Sequence, residues 1–343
     1  MTDTDLDFPF PEPELATDPV AVAAGLWRLR LPLPFRLDHV NVWLIEEAGG
    51  TWSLVDTGFG DAATADLWET LGADTLGPGT LARILVTHFH PDHAGQAGSL
   101  AARHGAPLWM SRGEWAFGRM LSLDDTDDLA RRGAAFYRRA GMPEAAVAAM
   151  VERGNPYRKA VRPIPASFRR LADGDRLTLG GAEWTVLTAA GHSPEHVLLH
   201  CPAMGVLIAG DQVLPKISPN IAVWPSEPEA EPLSAYLASL ERLRALPADT
   251  LVLPSHGPPF RGLHARLDAL AAHHAERLEA ARAVCARPAS VAEATAALFR
   301  RELDRHEIVF AYGEALAHLR HLEEAGRLVR EIDGAGVLRF AEA

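Results

Sequence analysis

Cysteine is nearly absent: Cys201 and Cys285 are the only two in 343 residues. Two thiols supply neither a disulfide scaffold nor a thiolate zinc site, so both are expected to pack as small apolar groups in a reducing compartment. Lysine is equally scarce. Lys159 and Lys216 stand among 33 basic residues, and 45 acidic ones bring the formal net charge to −12. That balance argues against a protein whose main task is gripping nucleic-acid phosphates, while leaving a local basic groove open. No apolar run approaches the roughly 18–20 residues that cross a bilayer. The first twenty residues carry six acidic side chains and no basic one, unlike a secretory signal. The expectation is a cytoplasmic protein with no membrane partner. A hydrophobic content of 48% with 23% charged residues excludes wholesale disorder. The length suggests two domains.

Residues 1–20 read as an acidic, extended lead-in. Strand-like runs follow at Leu26–Leu31, Val40–Glu46 and Trp52–Val55, then a helix from about Asp61 to Leu71, the strand Ile84-Leu85-Val86 and an Ala-rich helix to about Arg103. Alternating strands and helices predict an α/β layered core. A stretch from about 113 to 160, rich in Ala, Arg, Glu and Met, predicts an insertion of two or three helices. Strands then resume at Arg176–Leu179, Trp184–Leu187, Val197–His200, Val206–Ala209 and Leu251–Leu253, with a helix from about Glu229 to Ala245. Residues 21–260 thus form one unit, and 261–343 differ. They hold a long helix to Arg287, a capping box at Ser290–Glu293, a helix from Gly313 to Glu324, and a hairpin turning at Asp333-Gly334. Three helices followed by a hairpin are the winged-helix layout.

The chemistry concentrates in Thr87-His88-Phe89-His90-Pro91-Asp92-His93-Ala94-Gly95. In an extended segment His88 and His90 point the same way and can grip one metal ion. Pro91 ends that run, and Asp92 with His93 stands where the backbone turns into the next helix, aimed at a second ion nearby. Three further pieces each end a strand-like run: Gly191-His192-Ser193, Gly210-Asp211 and Ser255-His256-Gly257. Loops from a layered core converge at such positions.

Together with Asp56 in Val55-Asp56-Thr57-Gly58, these pieces resemble, in order, the five motifs of the metallo-β-lactamase superfamily over about residues 25–260. The resemblance implies an αββα sandwich with a dinuclear metal site at one edge. It places His88, His90 and His192 on one ion, and Asp92, His93 and His256 on the other. Asp211 bridges both, and Asp56 orients ligands from behind. Asp at 211, where the family's true β-lactamases have Cys or Ser, disfavours antibiotic hydrolysis. His at 90, where its flavodiiron members have Glu, disfavours redox chemistry. A nitrogen/oxygen donor set suits Zn²⁺ and also accepts Mn²⁺ or Fe. Two such ions deliver a bridging water as hydroxide and polarise a substrate oxygen, so a thioester, ester, lactone or phosphodiester all fit. Asp92 is a candidate proton shuttle.

The tail sharpens the resemblance to the β-lactamase-like protein 2 and hydroxyacylglutathione-hydrolase-like group. That group implies hydrolysis of a small-molecule thioester or ester, with a single-strand endoribonuclease or a lactonase as alternatives. Residues 262–343 hold 11 Arg and 13 acidic residues, a net of 11 − 13 = −2. A winged helix that grips DNA needs a basic face. Here the tail is expected to pack over the active site or form a homodimer contact, a DNA-binding regulator being the disfavoured non-enzymatic reading. RNA stays open, with Arg158, Lys159, Arg169 and Arg170 as the nearby basic cluster. Four further residues are candidates for substrate contact: His39, His196, Lys216 and Tyr157.

Overall fold

The computed structural model describes residues 6–11, 18–72, 80–304 and 307–343. Residues 1–5 and 12–17 of the acidic lead-in lie outside these. The described piece does not simply trail: Asp7 and Arg261 exchange backbone hydrogen bonds, and Phe8 packs against Phe260.

Strands β1 (Val20–Ala23), β2 (Leu26–Pro32), β3 (His39–Glu47) and β4 (Thr51–Val55) pair antiparallel in sequence order. Helix α1 (Ala62–Leu71) leads to β5 (Leu81–Leu85), parallel to β4. The short α2 (Pro91–Ala94), α3 (Ala97–His104) and β6 (Leu108–Met110) follow. An insertion comes next, and β7 (Arg169–Arg170) closes a seven-stranded sheet. Period-two alternation sends successive side chains to opposite cores. On β3, Val40, Val42 and Leu44 join Trp68 of α1 and Leu100 of α3, while Trp43 and Ile45 enter the other core.

The insertion holds four helices, α4 (Arg112–Leu123), α5 (Asp127–Arg139), α6 (Glu144–Arg153) and α7 (Pro156–Ala160), where the sequence suggested two or three. The extra breaks come from capping side chains. Thr126 accepts from the Asp128 amide, and Asn155 from the Arg158 amide, so each starts a new helix. Downstream, β8 (Arg176–Leu179), β9 (Ala182–Ala189), β10 (His196–Cys201), β11 (Val206–Gly210) and, after α8 (Pro232–Leu243), β12 (Leu251–Pro254) build a second sheet in the order β12-β11-β10-β9-β8. Its inner face presents Trp184, Val186, Leu199, Ile208 and Leu253 to Trp43 and Leu85 of the first sheet. Its outer face packs Leu198, Leu207 and Val252 on Leu233 and Tyr236 of α8 and on Leu263 and Leu267 of α9 (Leu263–Val284). The layering is the αββα sandwich, with Cys201 and Cys285 both buried.

The far half of α9 belongs to a different core. There it meets β13 (Ala289–Ser290), α10 (Val291–Leu298), α11 (Glu307–Glu324), β14 (Leu328–Ile332) and β15 (Leu338–Glu342). The three strands pair in the order β13-β15-β14, giving helix-strand-helix-helix-hairpin, the winged-helix arrangement. Both bonds of the Ser290/Glu293 capping box are present. Helix α11 is already formed at Glu307, six residues before Gly313, where the Asp304 carboxylate accepts from the Glu307 amide. The tail's core is shared with the insertion: Tyr137, Met142 and Val147 pack among Tyr312, Leu316, Leu319 and Phe340. No described helix is long and apolar enough to cross a membrane.

Gly95, just past the His/Asp motif, sits where the chain passes very close to itself. A Cβ there would stand 2.3 Å from the Pro91 carbonyl oxygen and 2.4 Å from the Gly60 nitrogen. Backbone cannot yield cheaply, so Gly95→Ala is expected to cost about 2–3 kcal/mol. A thermal melt checks this, and an unchanged Tm would contradict the packing described.

Candidate metal centre

Strand direction gathers the site. β4 and β5 run parallel, as do β11 and β12, and β9 and β11 both flank β10 antiparallel and so run the same way. The C-terminal ends of these strands release Asp56, the 87–95 segment, His192, Asp211 and His256 at one edge of the sandwich. There the side chains fall into two groups whose donor atoms lie within 4.8 Å of one another: His88, His90, His192 and Asp211, and Asp92, His93 and His256. Asp211 reaches both. Its Oδ2 is 3.3 Å from His192 Nε2 and 3.9 Å from His88 Nε2, while its Oδ1 is 3.3 Å from His256 Nε2 and 3.5 Å from His93 Nε2. Asp92 Oδ2 completes the second group, 3.3 Å from His256 Nε2 and 3.5 Å from His93 Nε2.

The outer ring nitrogens are committed elsewhere. His93 Nδ1 donates to Asp56 Oδ2 (2.9 Å), His192 Nδ1 to the Asn220 carbonyl (2.9 Å) and His256 Nδ1 to the His39 carbonyl (2.7 Å). His88 Nδ1 lies 3.0 Å from Thr87 Oγ1, whose hydroxyl donates to Asp56. Each of these contacts fixes the tautomer that leaves Nε2 bare toward the centre, the arrangement a metal-binding imidazole requires. Within the protein, His93 Nε2, His256 Nε2 and Asp211 Oδ1 are buried with no hydrogen-bond partner. Orphaned buried polar atoms are costly, and three converging on one point fit a divalent cation. Asp56 adopts φ +62°, the one positive φ among described non-glycine residues, and thereby turns its carboxylate onto the Thr87 amide, the Thr87 hydroxyl and His93 together.

Charge follows the same division. Burial, with His93 close by, holds His88 well below the usual histidine range, and burial beside His192 takes His90 down to about 3. Burial opposes protonation of His93 and His256 too, but the surrounding carboxylates prevail. Asp92, Asp211 and Asp56 lift His93 well above its ordinary value, and Asp211 with Asp92 brings His256 to about 10. Asp92 and Asp211, though buried, are held low by those same imidazoles. Without cations, protons on His93 and His256 balance the two carboxylates.

The four substrate candidates each have protein contacts of their own. His39 accepts from the Gly257 amide at Nε2 (3.0 Å), and so steadies the His256 loop. His196 is fully buried, stacked on His88 at 4.6 Å, with Nε2 accepting from the Asp211 amide. Tyr157 donates its buried hydroxyl to the Phe89 carbonyl (2.5 Å). Lys216 is exposed with its ammonium over the Phe8 ring, 5.8 Å from the centroid. Glu114, absent from the sequence reading, ties the two histidine loops together. Its carboxylate accepts from the Phe89 amide (2.9 Å), the Ser193 hydroxyl (2.7 Å) and the Glu195 amide (2.7 Å). Ser111-x-x-Glu114 has capping-box spacing, but Glu114 turns away from Ser111 toward the loops. Asn41 does similar work, donating to the Pro254 and Gly257 carbonyls on either side of His256.

The family model for the metallo-β-lactamase superfamily matches residues 35–256. The chain belongs to this superfamily. A model for the metallo-β-lactamase-like C-terminal domain matches residues 278–343. A metallo-β-lactamase superfamily chain with this tail has solved relatives. A β-lactamase domain protein from Burkholderia ambifaria is 44% identical, covers 99% of each chain and superposes with a TM-score of 0.91. A metallo-β-lactamase family protein from Thermus thermophilus is 33% identical over 94% of this chain and 100% of its own, with a TM-score of 0.81. Among curated relatives, the probable metallo-hydrolase YqjP of Bacillus subtilis is 27% identical over 70% of this chain and 74% of that protein. The hydroxyacylglutathione hydrolase of Cereibacter sphaeroides is 32% identical, but over only 27% of this chain and about a third of its own length. Membership and the His/Asp cluster make this superfamily protein a metal-dependent hydrolase.

Two expectations follow. Glu114→Ala strands three buried donors and should lower stability by about 3 kcal/mol or more, read by denaturant unfolding; a loss under about 1 kcal/mol contradicts the role given to it. In chelated protein, the raised His256 stabilises the fold below pH 6.5 and loses that contribution as pH climbs toward 10. The lowered His90 does the opposite, its contribution present above pH 6.5 and lost as pH falls toward 3. Metal-free Tm should therefore peak at about pH 6–7 and fall on both sides. A flat profile across that range would count against the charge arrangement.

Proposed function

We propose that this superfamily member hydrolyses a small carboxylic thioester or ester by direct attack of water. The observation that carries the reading is the sharing of Asp211, one carboxylate oxygen to each ligand group. Two divalent ions held there, for which zinc suits the donors, would acidify a water and polarise a carbonyl oxygen. The chain's own residues do the rest. Asp56 keeps His93 aligned, and Asn220 and His39 do so for His192 and His256. Asp92 is the carboxylate of the site with most solvent access, its side chain 19% exposed against 9% for Asp211. That position suits it to take the proton from the attacking water and hand it to the departing thiolate or alkoxide. The name of the hydroxyacylglutathione hydrolases supports a thioester, and Asp rather than Cys at 211 disfavours a β-lactam.

The endoribonuclease reading needs a basic track into the centre. Arg169 and Arg170 lie exposed on β7, with Arg170 3.7 Å from Glu195 beside the His192 loop. Arg158 and Lys159 do not join them. They line an open cavity of about 840 Å³ together with Asp124, Asp125 and Asp127, and Arg158 pairs with Asp125. Two arginines make a short track, which favours the small substrate.

Metal-loaded protein given acyl-glutathione, acyl-CoA, aryl ester, lactone and single-stranded RNA decides the matter. Turnover of a thioester or ester is expected, stopped by chelator, restored by zinc and absent in Asp211→Ala. Cleavage of RNA alone would overturn the proposal.

A further inference from the structure

Between Asp211 and α8 the chain passes under the tail, and tail helices supply polar anchors for Leu214, Ile217, Ser218, Asn220 and Val223. Ser218 Oγ meets His273 Nε2 at 3.2 Å. Asn220 Nδ2 donates to Glu314 Oε2 (2.9 Å) and to the Phe310 carbonyl (3.4 Å). The Val223 amide donates to the Gly313 carbonyl (3.0 Å), and Trp224 meets the Phe310 ring edge-on at 5.3 Å. The approach is close enough that a Cβ on Gly313 would stand 2.9 Å from the Val223 carbonyl oxygen. Glu314, buried on α11, is paired with Arg277 of α9, whose Nη2 lies 2.9 Å from Glu314 Oε1.

The segment held in this way supplies the carbonyl, that of Asn220, that accepts from His192 Nδ1. We infer that Glu314, locked by Arg277, is a positioning residue that acts through Asn220 on His192, so that the tail domain sets the affinity of the ion held by His88, His90 and His192. Packing alone does not account for a charged pair here. Burying Glu314 and Arg277 incurs a desolvation penalty that an apolar pair would avoid, with equal or better stability. What a carboxylate does there, and leucine could not, is hold the Asn220 side-chain amide in one orientation. The backbone carbonyl of the same residue is then fixed on the imidazole. Partners of metal-binding histidines of this kind govern affinity by about 10–100-fold.

The inference rests on the two-ion reading, and one experiment separates the two. Full-length protein is stripped of metal and titrated with Co²⁺ against a competing chelator, following the visible absorption of each binding step, with His192→Ala assigning the steps. Asn220→Ala and Glu314→Ala should weaken the His192 step about 10–100-fold while leaving the other within about 3-fold. Glu314→Gln, which keeps an oxygen for Asn220, should recover most of the loss. Metal-free melting of each variant shows that the fold is intact; should Glu314→Ala not fold, Asn220→Ala with Glu314→Gln carries the test. Unchanged affinity in Asn220→Ala, equal weakening of both steps, or Glu314→Gln no better than Glu314→Ala would overturn the inference. Fewer than two ions in the unsubstituted protein would overturn the two-ion reading itself.

Discussion

The carboxylate of Asp211 is the point on which the rest of the structure depends. Its two oxygens face two sets of bare imidazole nitrogens, and each contact lies between 3.3 and 3.9 Å. Such spacing is unstable on its own: three buried polar atoms lack any protein partner, and the acids and imidazoles perturb one another strongly. A protein tolerates this only when its loops are held from outside, and here each one is. Asp56 braces the 87–93 segment, Glu114 ties that segment to the His192 loop, and Asn41 with His39 secures the His256 loop. The sandwich brings strand ends to one edge, and hydrogen bonds behind the histidines turn proximity into orientation.

The appended parts contribute to that orientation. The helical insertion places Glu114 at the start of α4 and Tyr157 on α7, both gripping Phe89 between the first two histidines. The tail winds back over the 218–224 segment and shares its core with α5 and α6. The tail domain thereby holds the wall behind His192, with Phe310 and Glu314 anchoring the side chain of Asn220, whose backbone carbonyl meets His192. The long helix α9 makes this geometrically firm, since Leu263 and Leu267 pack on the second sheet while Ala281 and Cys285 lie in the tail core.

Much of this was legible from the residues. Period-two strands predict the layered core, and the Thr87–Gly95 run predicts His88 with His90 on one ion and Asp92 with His93 toward another, because strand alternation and strand-end loops are local properties of sequence. The sorting of His192, Asp211 and His256 between the two ions is what the family resemblance implies. What escaped was what depends on long-range contact. Glu114 looks like an ordinary capping glutamate until the fold brings Ser193 and Phe89 against it. His39, His196 and Tyr157 make their contacts to the loops and histidines of the site from behind, and nothing local distinguishes a side chain that faces substrate from one that holds a loop. The two-residue strand β7 depends on a neighbouring strand, and α11 is already formed where the Asp304 carboxylate meets the Glu307 amide, contacts that periodicity does not register. Asn220 carried no motif, because its backbone carbonyl rather than its side chain touches His192.

Anomalous diffraction from crystals of zinc-loaded protein shows whether Asp211 is shared between two ions. Two peaks are expected, at about 2.0–2.2 Å from their ligands. One lies against His88, His90 and His192, and the other against Asp92, His93 and His256, with Asp211 placing one oxygen on each. A single peak, or two peaks with Asp211 turned away from either, would contradict that sharing.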